Sequence, residues 1–272
     1  MPNHVTNEVT FLGSAERIKE LRDRCRTDKS PFSFQAFFPR PQELDGTTSP
    51  TKIVSELELQ EWTDKLASGE LKSWERESRP ITKQESTDMI IKYGCDNWYD
   101  WSTKNWGTKW DCYDHRSDDD FGSIIFDTAW STPMYALSEL SRLFKDVTIE
   151  VRYADEDLGS NVGSYTLLNG EVIDFYQPSY GKDSIKLAMD ILGDVECYLN
   201  DMLVDDIEDD IELDEFNTHV VQIAYEEGTL SKEYALPVLE KLLELSIADE
   251  LFERAAEIKG LIEIKSKAEK SK

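Results

Sequence analysis

Ser123-Ile124-Ile125-Phe126-Asp127-Thr128-Ala129-Trp130-Ser131-Thr132-Pro133 is the stretch on which the fold turns. Its first eight residues are rich in β-branched and aromatic side chains and read as a strand. Ser131-Thr132-Pro133 then reads as a helix start, with Pro in the first turn, where its missing N–H is harmless. From Met134 to Phe144, Leu137, Leu140, Leu143 and Phe144 fall on one helical face. Val147 to Tyr153 alternates again and reads as the next strand, so the segment is a β-α-β unit.

The same reading applies upstream. Val5 to Leu12 alternates, Gly13 breaks the strand, and Ser14 caps a helix that places Ile18, Leu21, Arg22 and Cys25 together. Phe32-Ser33-Phe34-Gln35-Ala36-Phe37-Phe38 reads as a second strand, closed by Pro39-Arg40-Pro41. Two β-α-β units in succession predict an α+β, ferredoxin-like split βαβ arrangement. Between its second and third strands the spacing predicts a long helical insertion, about 43–120, with helical signals over Ile53–Leu66 and Lys83–Tyr93. A hairpin follows, Val162–Leu168 with Glu171–Tyr176, around Asn169-Gly170.

Beyond Ser184 the apolar spacing becomes helical, through Ile185, Ala188, Met189, Leu192, Cys197, Leu199 and Leu203. The tail holds two helices. One starts at Pro237 and carries Leu239, Leu242, Leu243 and Ile247; the other carries Leu251, Phe252, Ala255, Ala256, Ile258, Leu261 and Ile262. The expected organisation is a ferredoxin-like domain over 1–182 and an acidic, all-helical region over 183–272 that ends in a helical hairpin.

Charge is the second strong signal. The chain of 272 residues has a formal net charge of −26, which opposes nonspecific binding to duplex DNA, where Lys and Arg supply the affinity. Between Lys186 and Lys232 there are 14 carboxylates and no Lys or Arg. The last 41 residues are nearly neutral, with 8 basic and 9 acidic side chains. No apolar run approaches the roughly 18 to 20 residues that span a bilayer, and the first residues lack a basic region followed by an apolar one. Cys25, Cys95, Cys112 and Cys197 are far apart, which suits reduced thiols. The expectation is a cytoplasmic protein, in the cytoplasm of a bacterial host, with no membrane contact and no cofactor. Its oligomeric state is not set by these features.

Trp106-Gly107-Thr108-Lys109-Trp110 and the Trp130 segment, with Trp98 and Trp101 just upstream, concentrate five indoles in one region. Rings of that size either build a core or line a site. With these tracts and the strand order together, the first 180 or so residues resemble the YubB-type (Api-like) ferredoxin-like family of phages and plasmids. The pieces that carry the resemblance are Pro2-Asn3-His4-Val5-Thr6-Asn7, Phe38-Pro39-Arg40-Pro41, Trp106–Trp110, Phe126–Pro133 and Tyr153-Ala154-Asp155-Glu156. It implies the fold and a mobile-element origin and supplies no catalytic residues. Phe252-Glu253-Arg254-Ala255-Ala256-Glu257-Ile258-Lys259 is similar to the second helix of the short hairpin in UvrB and UvrC repair proteins, which mediates protein contact.

Several side-chain sets could carry chemistry. Lys109 and Asp127, with Trp106, Trp110 and Trp130 as pocket walls, could form a base and an acid whose pKa values burial moves toward neutrality. The plainer reading makes the rings core, Asp127 a strand-end partner of backbone groups, and Lys109 an ion-pair partner. Cys112-Tyr113-Asp114-His115 with Cys95 falls short of the four N or S ligands of a zinc site, so no metal is expected. Asp118-Asp119-Asp120 is a loop of acids. His4 is expected to be a structural hydrogen-bond partner. Phe34, Phe126 and Tyr153 could stack single-stranded RNA on a ferredoxin-like sheet, but basic flanks are missing and no direct nucleic-acid binding is expected.

Asp205, Asp206, Glu208, Asp209, Asp210, Glu212, Asp214 and Glu215 form the densest acidic run. Carboxylates at this density can imitate a nucleic-acid backbone; the plainer alternative is a solvated connector. The expected function is that of a non-enzymatic phage or plasmid accessory protein. It would bind a host protein with a basic groove, as an inhibitor of a nuclease-based defence system such as CRISPR or restriction. The alternative is an enzyme on a small polar or nucleotide substrate, with Lys109 and Asp127 as proton carriers.

Overall fold

The computed structural model describes residues 3–116, 122–193, 215–228, 230, 231, 234 and 236–269. It divides into two compact units, Met1–Glu156 with Ser164–Phe175, and Asp157–Gly163 with Tyr176–Lys272. The sequence places the division at 182/183. In the structure, the helical unit also takes the stretch ahead of α8 (Lys182–Leu192) and the short segment 157–163.

In the first unit, β1 (His4–Leu12) runs into α1 (Ala15–Cys25), whose first turn is capped by the Ser14 hydroxyl accepting from Arg17 N–H. Next come α2 (Phe34–Phe37), the short strand β2 (Ile53–Val54), α3 (Glu56–Ser68), α4 (Ser73–Arg76), β3 (Ile81–Thr82), α5 (Lys83–Tyr93) and α6 (Trp98–Asn105). The chain then enters the main sheet through β4 (Tyr113–Arg116), β5 (Ser123–Ala129), α7 (Met134–Leu143), β6 (Thr148–Asp155), β7 (Gly163–Leu168) and β8 (Glu171–Tyr176). The sheet order is β4-β5-β1-β6-β7-β8, with β1 antiparallel to both β5 and β6.

This is the ferredoxin-like arrangement of the sequence reading, with one strand reassigned. The second strand is β4, next to β5; the Phe32–Phe38 stretch is not a strand. The insertion therefore lies between α1 and β4, and not between the second and third strands. The reason lies in where the rings must go. Strict alternation would send Phe32 and Phe34 to one face and Phe37 to the other. A helical turn from Phe34 to Phe37 instead turns both rings inward, since residues three apart share a helix face. Phe32, Phe34 and Phe37 are all buried, and Phe32 stacks on Phe126 with centroids 5.2 Å apart. Asp111 fixes the start of this turn by accepting from the Phe34 N–H at 2.7 Å and from the Ser33 hydroxyl.

The sheet has two different faces. Val5, Val9 and Phe11 of β1 lie under the helices with Ile124 and Phe126 of β5 and Ile149, Val151 and Tyr153 of β6. Asn7 is buried in the same row, and its Nδ2 donates to Val5 O, Phe126 O and Thr128 Oγ1. The opposite row of β1 is His4, Thr6, Glu8 and Thr10. Its partners in register include Asp127 on β5 and Arg152 on β6.

In the second unit α8 is followed, after the residues outside the description, by α9 (Glu215–Glu227), α10 (Leu236–Ala248) and α11 (Phe252–Glu269). Val220, Ile223 and Ala224 of α9, Leu239 and Leu242 of α10, and Ile258 of α11 are buried. The turn between α10 and α11 is tied to α9. Tyr225 donates its hydroxyl to Asp249 at 2.6 Å, and the Arg254 guanidinium donates to Tyr225 O at 2.7 Å. Among the described residues no helix is long and apolar enough to cross a membrane.

Candidate functional site

The two Trp tracts fold onto each other. Trp106 ends α6, and Gly107 turns the chain at φ 84°, a left-handed value that glycine takes without cost. A Cβ there would also meet the Tyr135 ring at 3.3 Å. The Thr108 hydroxyl donates to Ala129 O at 2.8 Å, the Ser131 hydroxyl donates to Gly107 O, and Ala136 N–H donates to Trp106 O. The two sequence motifs are thus one hydrogen-bonded knot at the end of β5 and the start of α7.

The rings fill this knot. Trp106 is fully buried, with its indole N–H on Phe38 O at 2.9 Å. It packs edge-on against Trp101 at 5.4 Å and tilted against Phe34 at 5.7 Å. Trp106 is therefore core and does not wall an accessible pocket, which corrects the pocket reading for that residue. Trp130 differs. It is 43% exposed and sits at φ 71°, a region that costs a bulky residue roughly 1–3 kcal/mol. Its N–H donates to Asn3 O, which helps to hold it there.

Two cations complete the knot. Lys109 lies over Trp110 at 4.6 Å and over Trp130 at 4.4 Å, both within cation–π range. Arg40, from the Phe38-Pro39-Arg40-Pro41 piece, lies over Trp98 at 5.8 Å and over Trp106 at 5.6 Å. It also pairs with Asp45 at 2.7 Å and donates to the Ser102 hydroxyl. The sequence reading missed Arg40 and Asp111. The only signal for Arg40 is its position between two prolines beside a Phe-rich run, and Asp111 has none beyond its place after Trp110.

Lys109 and Asp127 are not brought together as base and acid. Asp127 is on the open face of the sheet, where it accepts from the Thr6 hydroxyl at 3.0 Å and pairs with Arg116. Lys109 is engaged by the two indoles. His4 is a hydrogen-bond partner, as the sequence implies, with its Nδ1 2.7 Å from the Tyr113 hydroxyl. Burial, reinforced by nearby Asp127, pushes the Tyr113 hydroxyl up to about 12, so it stays protonated at neutral pH. Burial also lowers the His115 pKa.

The stacking trio for RNA falls away on the same geometry. Phe34 of α2 and Phe126 and Tyr153 on the helix-covered face of the sheet are all buried, so no base can reach them. Cys25, Cys95 and Cys112 are free and buried thiols, and burial raises all three pKa values. Among the described residues no cluster of His, Cys, Asp and Glu is disposed to hold a metal ion.

Of the acidic stretch, Asp205, Asp206, Glu208, Asp209, Asp210, Glu212 and Asp214 lie outside the described residues, as do Asp118, Asp119 and Asp120. Glu215 opens α9. The described helices on either side of it are joined to each other. Lys182 and Lys186, on the helix that leads into it, pair with Glu226 and Glu227, on the helix that leads out, each at 2.6 Å. Those pairs engage the last two of its 14 carboxylates. The other twelve lie between Asp190 and Glu215, a stretch of sequence without Lys or Arg.

Residues 109–196 match the family model described as a ferredoxin-like domain in Api92-like protein. The match takes in Lys109-Trp110, the Phe126–Pro133 tract and Tyr153–Glu156, in line with the Api-like resemblance read from the sequence. The description names no activity. A crystal structure of a protein api92 from Yersinia pseudotuberculosis is similar at 13% identity, over 66% of this chain and 99% of that one, with a TM-score of 0.35. No curated protein matches.

Proposed function

We infer that the chain is a non-enzymatic accessory protein of a mobile element and acts in the host cytoplasm by presenting a polyanionic segment to the basic groove of a host protein. The most concrete form is an inhibitor of a nuclease-based defence system such as CRISPR or restriction. The observation that carries this reading is the segment itself, twelve carboxylates from Asp190 to Glu215 without one Lys or Arg. Duplex DNA presents one charge per roughly 1.7 Å of axis. A peptide with nearly every second side chain anionic is sparser than that, but it offers a cationic surface an unbroken run of negative charge.

Lys182–Glu226 and Lys186–Glu227 pair the helix that precedes the acidic run with the helix that follows it. The test is competition against DNA. The protein is titrated into nuclease–DNA complexes from CRISPR and restriction systems, and bound DNA and cleavage are both measured. The reading predicts that some member of the panel loses DNA in proportion to added protein, steeply so at low salt. If no nuclease in the panel releases DNA at any ionic strength, the reading fails.

A further inference from the structure

The two edges of the main sheet are finished differently. At one end β4 is four residues long, its register shifts between Tyr113 and Arg116, and Asp114 takes a positive φ of 47°. A short, kinked, charged edge is how a sheet avoids pairing with another chain. At the other end β8 has six residues, Glu171-Val172-Ile173-Asp174-Phe175-Tyr176, all of them exposed. Its four apolar side chains are 43% to 57% exposed, and it carries no Pro or Lys. In the sheet order β8 has β7 on one side and no described strand on the other.

We propose that β8 is the contact strand of a homodimer, in which two copies of this chain pair antiparallel, edge to edge, around a two-fold axis at Ile173. The turn sets which backbone groups are available. Asn169 and Gly170 both have positive φ, 51° and 82°, which is the type I′ geometry. In such a hairpin Leu168 and Glu171 are the closing hydrogen-bonded pair. The N–H and C=O groups of Val172 and Asp174 therefore point away from β7, to the free edge.

A second copy fits these groups well. With the axis at Ile173, Val172 of each chain exchanges two backbone hydrogen bonds with Asp174 of the other. Ile173 meets Ile173, and Glu171 lies opposite Phe175, so no like charges are opposed. An axis one residue along would set Asp174 against Asp174, which is destabilising. The strand itself carries only two of the chain's acids, so repulsion at the contact is small while repulsion between whole chains of charge −26 is large. Added salt therefore strengthens this association.

The experiment is sedimentation equilibrium of the full chain across a concentration series at low and high ionic strength. A monomer–dimer equilibrium that tightens with salt is expected. Val172→Pro removes an N–H that β7 does not use, so it leaves the fold intact and weakens the dimer by about tenfold or more. Ile173→Cys should cross-link under oxidation, because the axis brings the two Cα atoms to about 4.5 Å, within disulfide reach. Asp174→Cys should cross-link far less, with the parent chain as background. A chain that stays monomeric at every concentration and salt overturns the proposal. So does a dimer that Val172→Pro leaves unchanged, or equal cross-linking at both cysteine positions.

Discussion

In the aromatic knot every cation has a surface to rest on. Arg40 lies on Trp98 and Trp106 and pairs with Asp45, and Lys109 lies between Trp110 and Trp130. Between Asp190 and Glu215 the chain does the opposite: it collects anions and supplies no cation of its own. The first region is closed on itself, and its charges contribute to stability. The second has no cation within its own stretch of sequence, and on the proposed reading its contribution lies in association. Proximity of unusual residues in sequence is common to both. What separates them is whether opposite charge is present in the same neighbourhood.

That division has measurable consequences, and the largest belongs to the knot. Trp106→Ala removes a fully buried indole and its hydrogen bond to Phe38 O, and should cost about 3–5 kcal/mol in denaturant unfolding. A cost under about 1 kcal/mol would return Trp106 to the status of a pocket wall. Arg40→Ala should cost about 1–3 kcal/mol, and Arg40→Lys most of that, because a point charge cannot both stack on indoles and fork to Asp45.

Neutralising the other region should move binding and leave the fold alone. Changing Asp205, Asp206, Asp209 and Asp210 to Asn and Ser should weaken association with a basic partner by well over tenfold, with thermal stability unchanged or slightly higher. Equal binding at every salt concentration would end the polyanion reading. Lys109→Ala is milder, at about 0.5–1 kcal/mol, with a change in the emission of the partly exposed Trp130 as its readout.

The smallest effect is a surface clasp in the insertion. Hydrogen bonds from Lys92 and Tyr93 hold the Glu43 carboxyl down at about 2. Its folded pKa is thus depressed, so its contribution is present above the ordinary carboxylate range and is lost as pH falls from about 4.5 through 2. An NMR titration should find the Glu43 midpoint near 2 in the parent and closer to 4.5 in Lys92→Ala. An unchanged midpoint would mean that the clasp does not form in solution.

The sequence was legible where local pattern and tertiary demand agree. β1, β5 and β6 alternate because one face of each is buried, and α5 runs over Lys83–Tyr93 between Thr82 and Gly94, both of which act as caps. Phe32–Phe38 misled because its apolar residues satisfy a strand template until the core requires Phe37 on the same side as Phe34. β4 was missed because Tyr113-Asp114-His115-Arg116 has no apolar alternation. Only its pairing with β5 makes it a strand. The knot's tryptophans were legible as a group, but their roles were not. Burial of Trp106 and exposure of Trp130 depend on turns at Gly107 and Trp130 that composition does not encode.

The placement of the insertion also sets an order in time. β1 pairs with β5 through contacts such as Thr10 with Ser123 and His4 with Ala129, and with β6 through Val5 with Asp155. Its partners therefore follow it by more than a hundred residues. At a synthesis rate of about 5–20 residues per second, β1 waits roughly 6–25 s before the first of them exists. During that interval the strand that becomes the centre of the sheet is an apolar segment without a mate, and sheet closure must await a long loop closure. The helices of the insertion, whose contacts are local, can form first. The helices of the insertion are thus available before the sheet can close, and the window in which β1 stands alone is where chaperone dependence or aggregation should concentrate.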